Sequence, residues 1–467
     1  MSKSRWTKLL ALLMIFGLIA SACGSDDESD SSSGDSSDAS TDETTGDESS
    51  DETTGDGGES MSFDGETVTI TGPERDDPSI ASINDTLNAW GETVGLVIEY
   101  TGDADWEANI NTQVEGGNPP DISFFPQPGK LADFARAGSI VPLSDAADAV
   151  VDEFWADGFQ QYGNVDGVQY GIPAKTDLKS LVWYQPAKFE EAGYTVPETF
   201  EEFTALIDTM AAADGPKPLC VGIESGQATG WPYTDWVEDM VLRLHGGDVY
   251  DQWVANEIPF DDPRIEEAMQ APVDLWTEAN VFAAGGSISA TNFADNGQPL
   301  VDGQCYMHRQ ANFFAGLFPE GTTFADPADP EAVDVFYFPD INGDRPVLTA
   351  GIYAAAFNDN PATDAVMQYI ATADYAETRQ RNQTEAVGGG LSGYLSAAIG
   401  QDPSVYQPLE QSFLEILDSS EIARFDGSDL MPADVGAGTF WTEGTSLVNG
   451  DEDVATAAAR IQESWPS

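Results

Sequence analysis

At Cys23 the chain passes from an apolar run into a tract that cannot fold, and this seam decides where any folded body begins. Residues from Gly24 to about Phe63 are almost entirely Asp, Glu, Ser, Thr and Gly, with "DETTGD" occurring at both 42 and 51. So little apolar surface cannot offset the entropy of ordering, and residues 23–63 are expected to form a disordered acidic tether. About 40 flexible residues reach on the order of 35 Å, farther where like charges repel. Beyond them lies a body of about 400 residues, more than one simple core organises, so two lobes are expected.

Ahead of the seam, Lys3, Arg5 and Lys8 precede the apolar run Leu9 to Ala20, which is too short to span a bilayer comfortably, and the small residues Ser21 and Ala22. This stretch resembles the lipobox of bacterial lipoproteins, with Ala20 where leucine is usual. The resemblance implies that residues 1–22 are a signal peptide and that Cys23 carries a diacylglycerol. The protein would then sit outside the cytoplasm, anchored to the cell membrane. Two or more acyl chains, at roughly 0.8 kcal/mol per buried CH₂, hold a protein on a membrane stably, whereas one does so only marginally. The alternative is a plain signal peptide with an incidental cysteine.

The chain carries 82 acidic residues against 18 Lys and Arg, for a formal net charge of −64. Only 14 of the acids lie between Gly24 and Phe63, so 68 belong to the body, against 15 bases. Such a field repels nucleic acid and anionic lipid, and neither is expected as a partner. Beyond Cys23 the two cysteines are Cys220 and Cys305, and in an exported protein such a pair is expected to be a disulfide. His245 and His308 are the sole histidines, and there is no CxxC, HExxH or EF-hand loop. Zinc and a histidine-based triad have little to work with, and no cofactor or metal is expected.

Along the body, "TVTIT" reads as a strand and Ile80 to about Trp90 as a helix with Ile80, Ile83, Leu87 and Trp90 on one face. "GLVIEYTG" reads as a second strand, Trp106 to Glu115 as a helix, and "NPPDISFFPQPG" as a third strand ending in a loop. Strands alternating with helices predict a mostly parallel sheet whose ligand face lies at the carboxyl ends of the strands, where the loops Glu74–Asp77 and Phe125–Pro128 emerge. "VDGVQYGIP" predicts a hairpin leading to a crossover, and "SLVWY" a buried strand. "ETFEEF" predicts a capping box with Thr199 as N-cap and Glu202 three residues later.

The segments "GGNPPDISFFPQPGKLADFARAGSIVPLSD", "VDGVQYGIPAKTDLKSLVWYQPAKFEEAGYTVPETFEEF" and "GIESGQATGWPYTDWVEDMV" resemble the extracellular solute-binding proteins of bacterial ABC importers, in the branch that binds maltose and alpha-glucosides. "DGQCYMHRQANF", "TAGIYAAAFND" and "GTFWTEGTSLVNG" continue the likeness in the expected order from about Gly65 to Trp465. The resemblance implies a two-lobed α/β fold of the periplasmic-binding-protein type, with a multi-strand hinge and a ligand cleft between the lobes. Its crossings fall near Ile172–Asp177, near Val347–Gly351 and within Ser412–Arg424. Residues 64–174 and 351–411 then form the first lobe, and 175–350 with 412–467 the second, including the hinge return.

A sugar presents hydroxyls at its rim and flat C–H faces, so its site needs carboxylates, amides and guanidinium groups beside Trp or Tyr platforms. By resemblance Trp231 in "ATGWP" and Trp441 in "GTFW" are the platforms. The polar candidates are Gln127 after the third strand, Asp177 and Lys179 beside the hinge, Arg309 and Gln310 in "MHRQ", and Tyr353 past the second crossing. Phe124 or Phe125 stands where some relatives carry a Trp, and Glu74 and Arg75 reach from the first loop. Asp121 is expected to brace the loop before the cleft. The implied protein is a monomer that captures an oligosaccharide and hands it to permease subunits, without catalysis. Rival readings are an extracytoplasmic glycoside hydrolase, for which carboxylate pairs are too numerous to be informative, and a tethered adhesin.

Overall fold

A computed structural model describes residues 62–466; Cys23, the expected signal peptide and all but the end of the expected tether lie outside the described residues. β1 (Glu66–Gly72), β2 (Leu96–Gly102) and β3 (Ile122–Phe125) lie parallel with β1 in the middle. In β1, Val68 and Ile70 point inward between exposed or partly exposed threonines, the period-two pattern of a sheet with one covered face. The covering helix, Asp77–Val94, is capped by Asp76 and buries Ile83 and Leu87, with Ile80 and Trp90 packed at the edge. The second expected helix occupies Trp106–Glu115.

A two-residue hairpin follows, β4 (Asn164–Val165) and β5 (Val168–Gln169), turned by Asp166 and Gly167 at φ values of 53° and 88°. This is the left-handed turn that a short hairpin needs. β6 (Gly171–Leu178) then leaves the first sheet's neighbourhood for a second sheet made of β7 (Leu181–Tyr184), β8 (Lys217–Cys220), β9 (Val281–Phe282), β10 (Cys305–Arg309) and β11 (Asp334–Tyr337). Its strand order is β11-β7-β10-β8-β9. The Thr199–Glu202 capping box starts the helix Phe200–Ala212 that covers this sheet.

The return strand β12 (Val347–Ala356) is buried along its whole length. It pairs antiparallel with β6 on one edge; on the other it pairs with β3 and, near its start, with the short strand β13 (Ala423–Phe425). Three neighbours crowd this strand, and small residues make that possible. A Cβ on Gly351 would stand 2.3 Å from the carbonyl oxygen of Lys175, so only glycine lets β6 and β12 cross there.

Each sheet has its own core. Val68, Ile98, Phe124, Ile172 and Val366 belong to the first, and Val182, Phe203, Leu219, Val241 and Met307 to the second. The stretch running through Leu391, Leu395, Tyr406 and Phe413 packs beside Trp183 and Phe314 of the second half. Leu391, Leu395 and Tyr406 lie in the 351–411 segment that the resemblance assigns to the first lobe, so this cluster joins that segment to the second sheet. Cys220 and Cys305, on neighbouring parallel strands, are joined by a disulfide with Cα atoms 5.5 Å apart. A loop of 85 residues closed this way contributes roughly 2–4 kcal/mol.

Candidate functional site

β6 delivers the first part of the site. Lys175, Asp177 and Lys179 are spaced by two, so an extended chain aims all three the same way, into a cavity of about 380 Å³. The loop after β1 adds Glu74 and Arg75, the loop after β3 adds Gln127, and the crossing of β12 supplies Gly351 and Ile352 as a floor. The backbone is shaped for this: a Cβ on Gly102 would lie 2.2 Å from the carbonyl oxygen of Glu74.

Charges on this wall are matched. Glu74 stands 3.2 Å from Arg379 and 3.5 Å from Lys175, and Lys175 lies 3.4 Å from Asp177. Burial alone would raise Glu74, but Arg379 and Lys175 outweigh it and hold its carboxyl below the usual range. Burial likewise opposes the charge on Lys175, and Asp177 and Glu74 hold its ammonium above the usual range. Asp177 is raised, because burial exceeds what its cationic neighbours return. Ser82 accepts from Arg379 Nε at 2.7 Å and fixes the guanidinium plane. Lys179 bridges Asp235 at 2.8 Å and Asp426 at 2.5 Å, which joins the second sheet's helix to the segment after β13.

The aromatic surface comes from the other half. Trp231 opens the long helix Trp231–Val254, and Trp441 opens the helix Trp441–Asn449. They meet because Gly230, at φ 116°, lets the chain touch Trp441; a Cβ there would lie 2.2 Å from the Trp441 carbonyl oxygen. Phe293 packs edge-on to Trp231 at 5.0 Å and Phe313 tilts against it at 6.1 Å. Lys179 sits 5.3 Å from the Trp231 ring centre and Lys175 5.5 Å from that of Phe313, so cations line the rings from the polar side. Among the described residues, two buried atoms of cavity-lining residues have no protein partner, Gln127 Oε1 on the first-sheet side and Trp441 Nε1 on the second, one an acceptor and one a donor. Buried polar atoms are nearly always satisfied, so both are left with unused bonding capacity.

Among the residues singled out from sequence, Trp231, Trp441, Asp177, Lys179, Gln127, Glu74 and Arg75 therefore share one cavity. Arg309, Gln310, Tyr353, Phe124 and Phe125 do not line it. Arg309 is turned into the second half, donating to Asp239 at 2.5 Å and to the Asp235 carbonyl. Gln310 folds back onto the amide of Ala311, and its carbonyl takes the indole N–H of Trp183. The hydroxyl of Tyr353 donates to the Phe159 carbonyl at 2.7 Å. Phe125 is enclosed by Trp106, Phe134 and Phe357, and Phe124 lies in the first core. Asp121 bonds Thr69 and Asn358, which makes it a brace. Sequence reasoning passed over Lys175, Glu107, Phe293, Phe313, Arg379, Tyr394 and Asp429, all on the cavity wall. The period-two spacing with Asp177 and Lys179 was a usable signal for Lys175.

Residues 81–376 match the family described as bacterial extracellular solute-binding protein. The chain belongs to that family. It is 38% identical over 419 residues to the alpha-glucosides-binding periplasmic protein AglE of Rhizobium meliloti (strain 1021), covering 86% of this chain and 88% of the relative. It is 37% identical over 396 residues to the osmoprotective compounds-binding protein GgtB of Synechocystis sp., covering 82% of this chain and 89% of that one. Among solved structures, the bacterial solute receptor AcbH matches with a TM-score of 0.71 at 20% identity, over 86% of this chain and 98% of the receptor. Maltose-bound MalE3 of T. maritima matches with a TM-score of 0.63 at 17% identity, over 85% and 98%. The two-lobed α/β fold expected from the sequence is thus the fold of this solute-binding protein.

Proposed function

We propose that this solute-binding protein is the substrate-binding component of an ABC importer, capturing an oligosaccharide of the alpha-glucoside class in the cavity and delivering it to permease subunits. One observation carries the reading: half-buried and buried rings, Trp231, Trp441, Phe293 and Phe313, face a wall of paired ions across one cavity. Rings pack on C–H faces while charged and amide groups take hydroxyls, and a neutral ligand leaves the ion pairs intact. The alpha-glucoside relative, at 38% identity over most of both chains, supports the same class.

In this reading residues 64–174 and 351–411 close against 175–350 and 412–467 about β6, β12 and β13. Trp231 and Trp441 stack the sugar; Asp177, Lys179, Gln127 and Arg75 hold its hydroxyls. The protein works as a monomer, without turnover, held outside the cytoplasm by lipid on Cys23. Calorimetric titration with maltose, trehalose and sucrose tests it: saturable binding of at least one, with the sugar recovered intact, is expected. Released glucose would support a glycoside hydrolase instead, and no binding of any of them would remove the alpha-glucoside reading. Expressing Cys23→Ala in the native host should release the protein into the medium; retention with the membrane fraction would reject the anchor.

A further inference from the structure

The charges that line the cavity do not balance. Six carboxylates, Glu74, Asp76, Glu107, Asp177, Asp426 and Asp429, share it with four cations, Arg75, Lys175, Lys179 and Arg379. Glu74 and Asp177 are met by Lys175 and Arg379, Asp426 takes Lys179, and Asp76 caps its helix by accepting from the Ser79 amide. Two carboxylates are left over. Asp429 is only 8% exposed, and among the described residues no donor reaches its carboxylate; its own amide donates to Asp426 at 2.9 Å. Glu107 receives Gln127 Nε2 at 3.5 Å, a long contact, while Lys130 bonds its backbone carbonyl and not its side chain. Lys179 has nothing to spare for Asp429, because Asp235 and Asp426 already share it. Among the described residues Arg75 is the cavity-lining cation without an ion pair, 5.9 Å from the ring centre of Phe293. One guanidinium is thus set against two carboxylates. Burial raises the carboxyl of Glu107, and burial with Asp426 beside it raises that of Asp429 well above the usual range.

A charged ligand meets this imbalance directly, because a cleft with low-dielectric walls focuses the field of the charges that line it. An ammonium group supplies the missing counter-charge, and its bonds to carboxylates are about twice as strong as those between neutral groups. A carboxylate or phosphate adds a further like charge where donors are already short, and its desolvation is repaid by Arg75 alone. We propose that Asp429, with Glu107, sets the charge class of the ligand: saccharides bearing an anionic group are refused, neutral ones are taken, and one bearing a protonated amine is held more tightly than its neutral parent. Neutral hydroxyls serve both carboxylates as donors without adding charge. The proposal rests on the sugar-binding reading and adds selection by charge to it.

The test titrates the protein at neutral pH with maltose and trehalose, and then with each sugar altered at the primary hydroxyl of one ring: an amine of nearly the same size, a carboxylate, and the uncharged carboxamide that matches the carboxylate in shape. At least one parent sugar should bind. At one ring position or more, its amine should bind at least threefold more tightly than the parent and its carboxylate at least tenfold more weakly than the carboxamide, and both gaps should shrink at high salt. Asp429→Asn should close the gap for the amine and narrow that for the carboxylate at least threefold. The melting temperature of its ligand-free form should hold or rise, because a buried carboxylate without a partner is removed. Glu107→Gln should move both gaps in the same direction. A carboxylate that binds within threefold of its carboxamide, an amine no tighter than its parent at any position, or gaps unchanged in both variants would overturn the charge rule while leaving the sugar reading intact. If neither parent sugar binds, the sugar reading itself falls and the charge rule with it.

Discussion

Two buried ionic networks, which come close in sequence at Asp177 and Ser180, are proposed to do opposite jobs. In one, Glu74, Lys175, Asp177 and Arg379 all open on the cavity. In the other, Asp239 is fully buried and accepts from Arg243, from Arg309 and from the Ser180 hydroxyl at 3.0 Å, and none of the four lines the cavity. Arg243 further donates to the carbonyls of Phe338 and Pro339, which ties the long helix to the chain after β11. The chemistry is the same and access to water differs. Removing one partner from a sealed network strands the rest, whereas beside a cavity water can solvate what is left. The sealed network is therefore expected to carry stability, and the open one, under the function proposed above, ligand affinity.

The largest effect follows from breaking the sealed network. Asp239→Ala leaves two buried guanidinium groups without a carboxylate and should cost about 3–5 kcal/mol in chemical denaturation. Affinity measured on the fraction that remains folded should change little. A variant that melts normally but fails to bind would reverse the roles assigned to the two networks.

Next in size is a titration on the same sealed side. His308 donates from Nδ1 to the Cys220 carbonyl at 3.0 Å, and burial, with Arg309 beside it, lowers its pKa from 6.5 to about 4. The folded ring thus refuses a proton that the unfolded chain accepts. Above pH 6.5 neither state is protonated here; as pH falls toward 4 the unfolded state gains protons and stability drops, by about 3 kcal/mol at most. Denaturation curves of wild type and His308→Gln between pH 7.5 and 4.5 should converge as pH falls. Parallel curves would show that this ring is protonated in the fold.

The comparison also explains what could be read in advance. The strand-helix alternation, the hairpin at Asp166–Gly167 and the capping box at Thr199 are local, and each was legible because neighbouring residues decide it. Arg309 and Arg379 were not separable by such rules. Arg309 sits in a strand near a family-like motif, but which way it faces depends on Asp239, 70 residues away. Arg379 sits in a helix with no motif, and its guanidinium is held at the cavity by Ser82 and Glu74, 297 and 305 residues away. Tyr353 shows the same limit: its hydroxyl is taken by Phe159, a partner 194 residues distant.

On the cavity side the effects move to binding. Trp231 is partly exposed, and Trp231→Ala should weaken sugar binding by about 2 kcal/mol, roughly thirtyfold, with little change in the melting of the ligand-free protein. Trp441 is only 2% exposed and abuts Gly230, so Trp441→Ala should lower both affinity and melting temperature. Normal binding by both variants would move the platform to Phe293 and Phe313. Lys175→Met should reduce affinity about tenfold, near 1.4 kcal/mol, and destabilise the fold less than Asp239→Ala does. A loss of stability equal to that of Asp239→Ala would mean that the cavity does not solvate Glu74 and Asp177, and the distinction between open and sealed networks would collapse.

The smallest effect calibrates all the others. Arg136 and Asp166 form an ion pair at 3.2 Å on the surface, with side chains 57% and 70% exposed. Its contact distance matches that of Arg379 and Glu74, so distance alone would rank the two pairs together. Exposure separates them, because bulk water and salt already solvate both surface charges and the pair gains little by meeting. Arg136→Ala should cost less than about 1 kcal/mol, fade further at high salt, and leave sugar affinity unchanged. If it destabilised the protein as much as Asp239→Ala, then proximity rather than burial would set the worth of an ion pair in this chain. The high net charge would be the first place to look for the cause: with 68 acids against 15 bases in the body, each base removed leaves its acidic neighbours less screened from one another. Repeating the melt of Arg136→Ala in high salt separates the two, because salt relieves repulsion between surface carboxylates and has no access to the groups around Asp239.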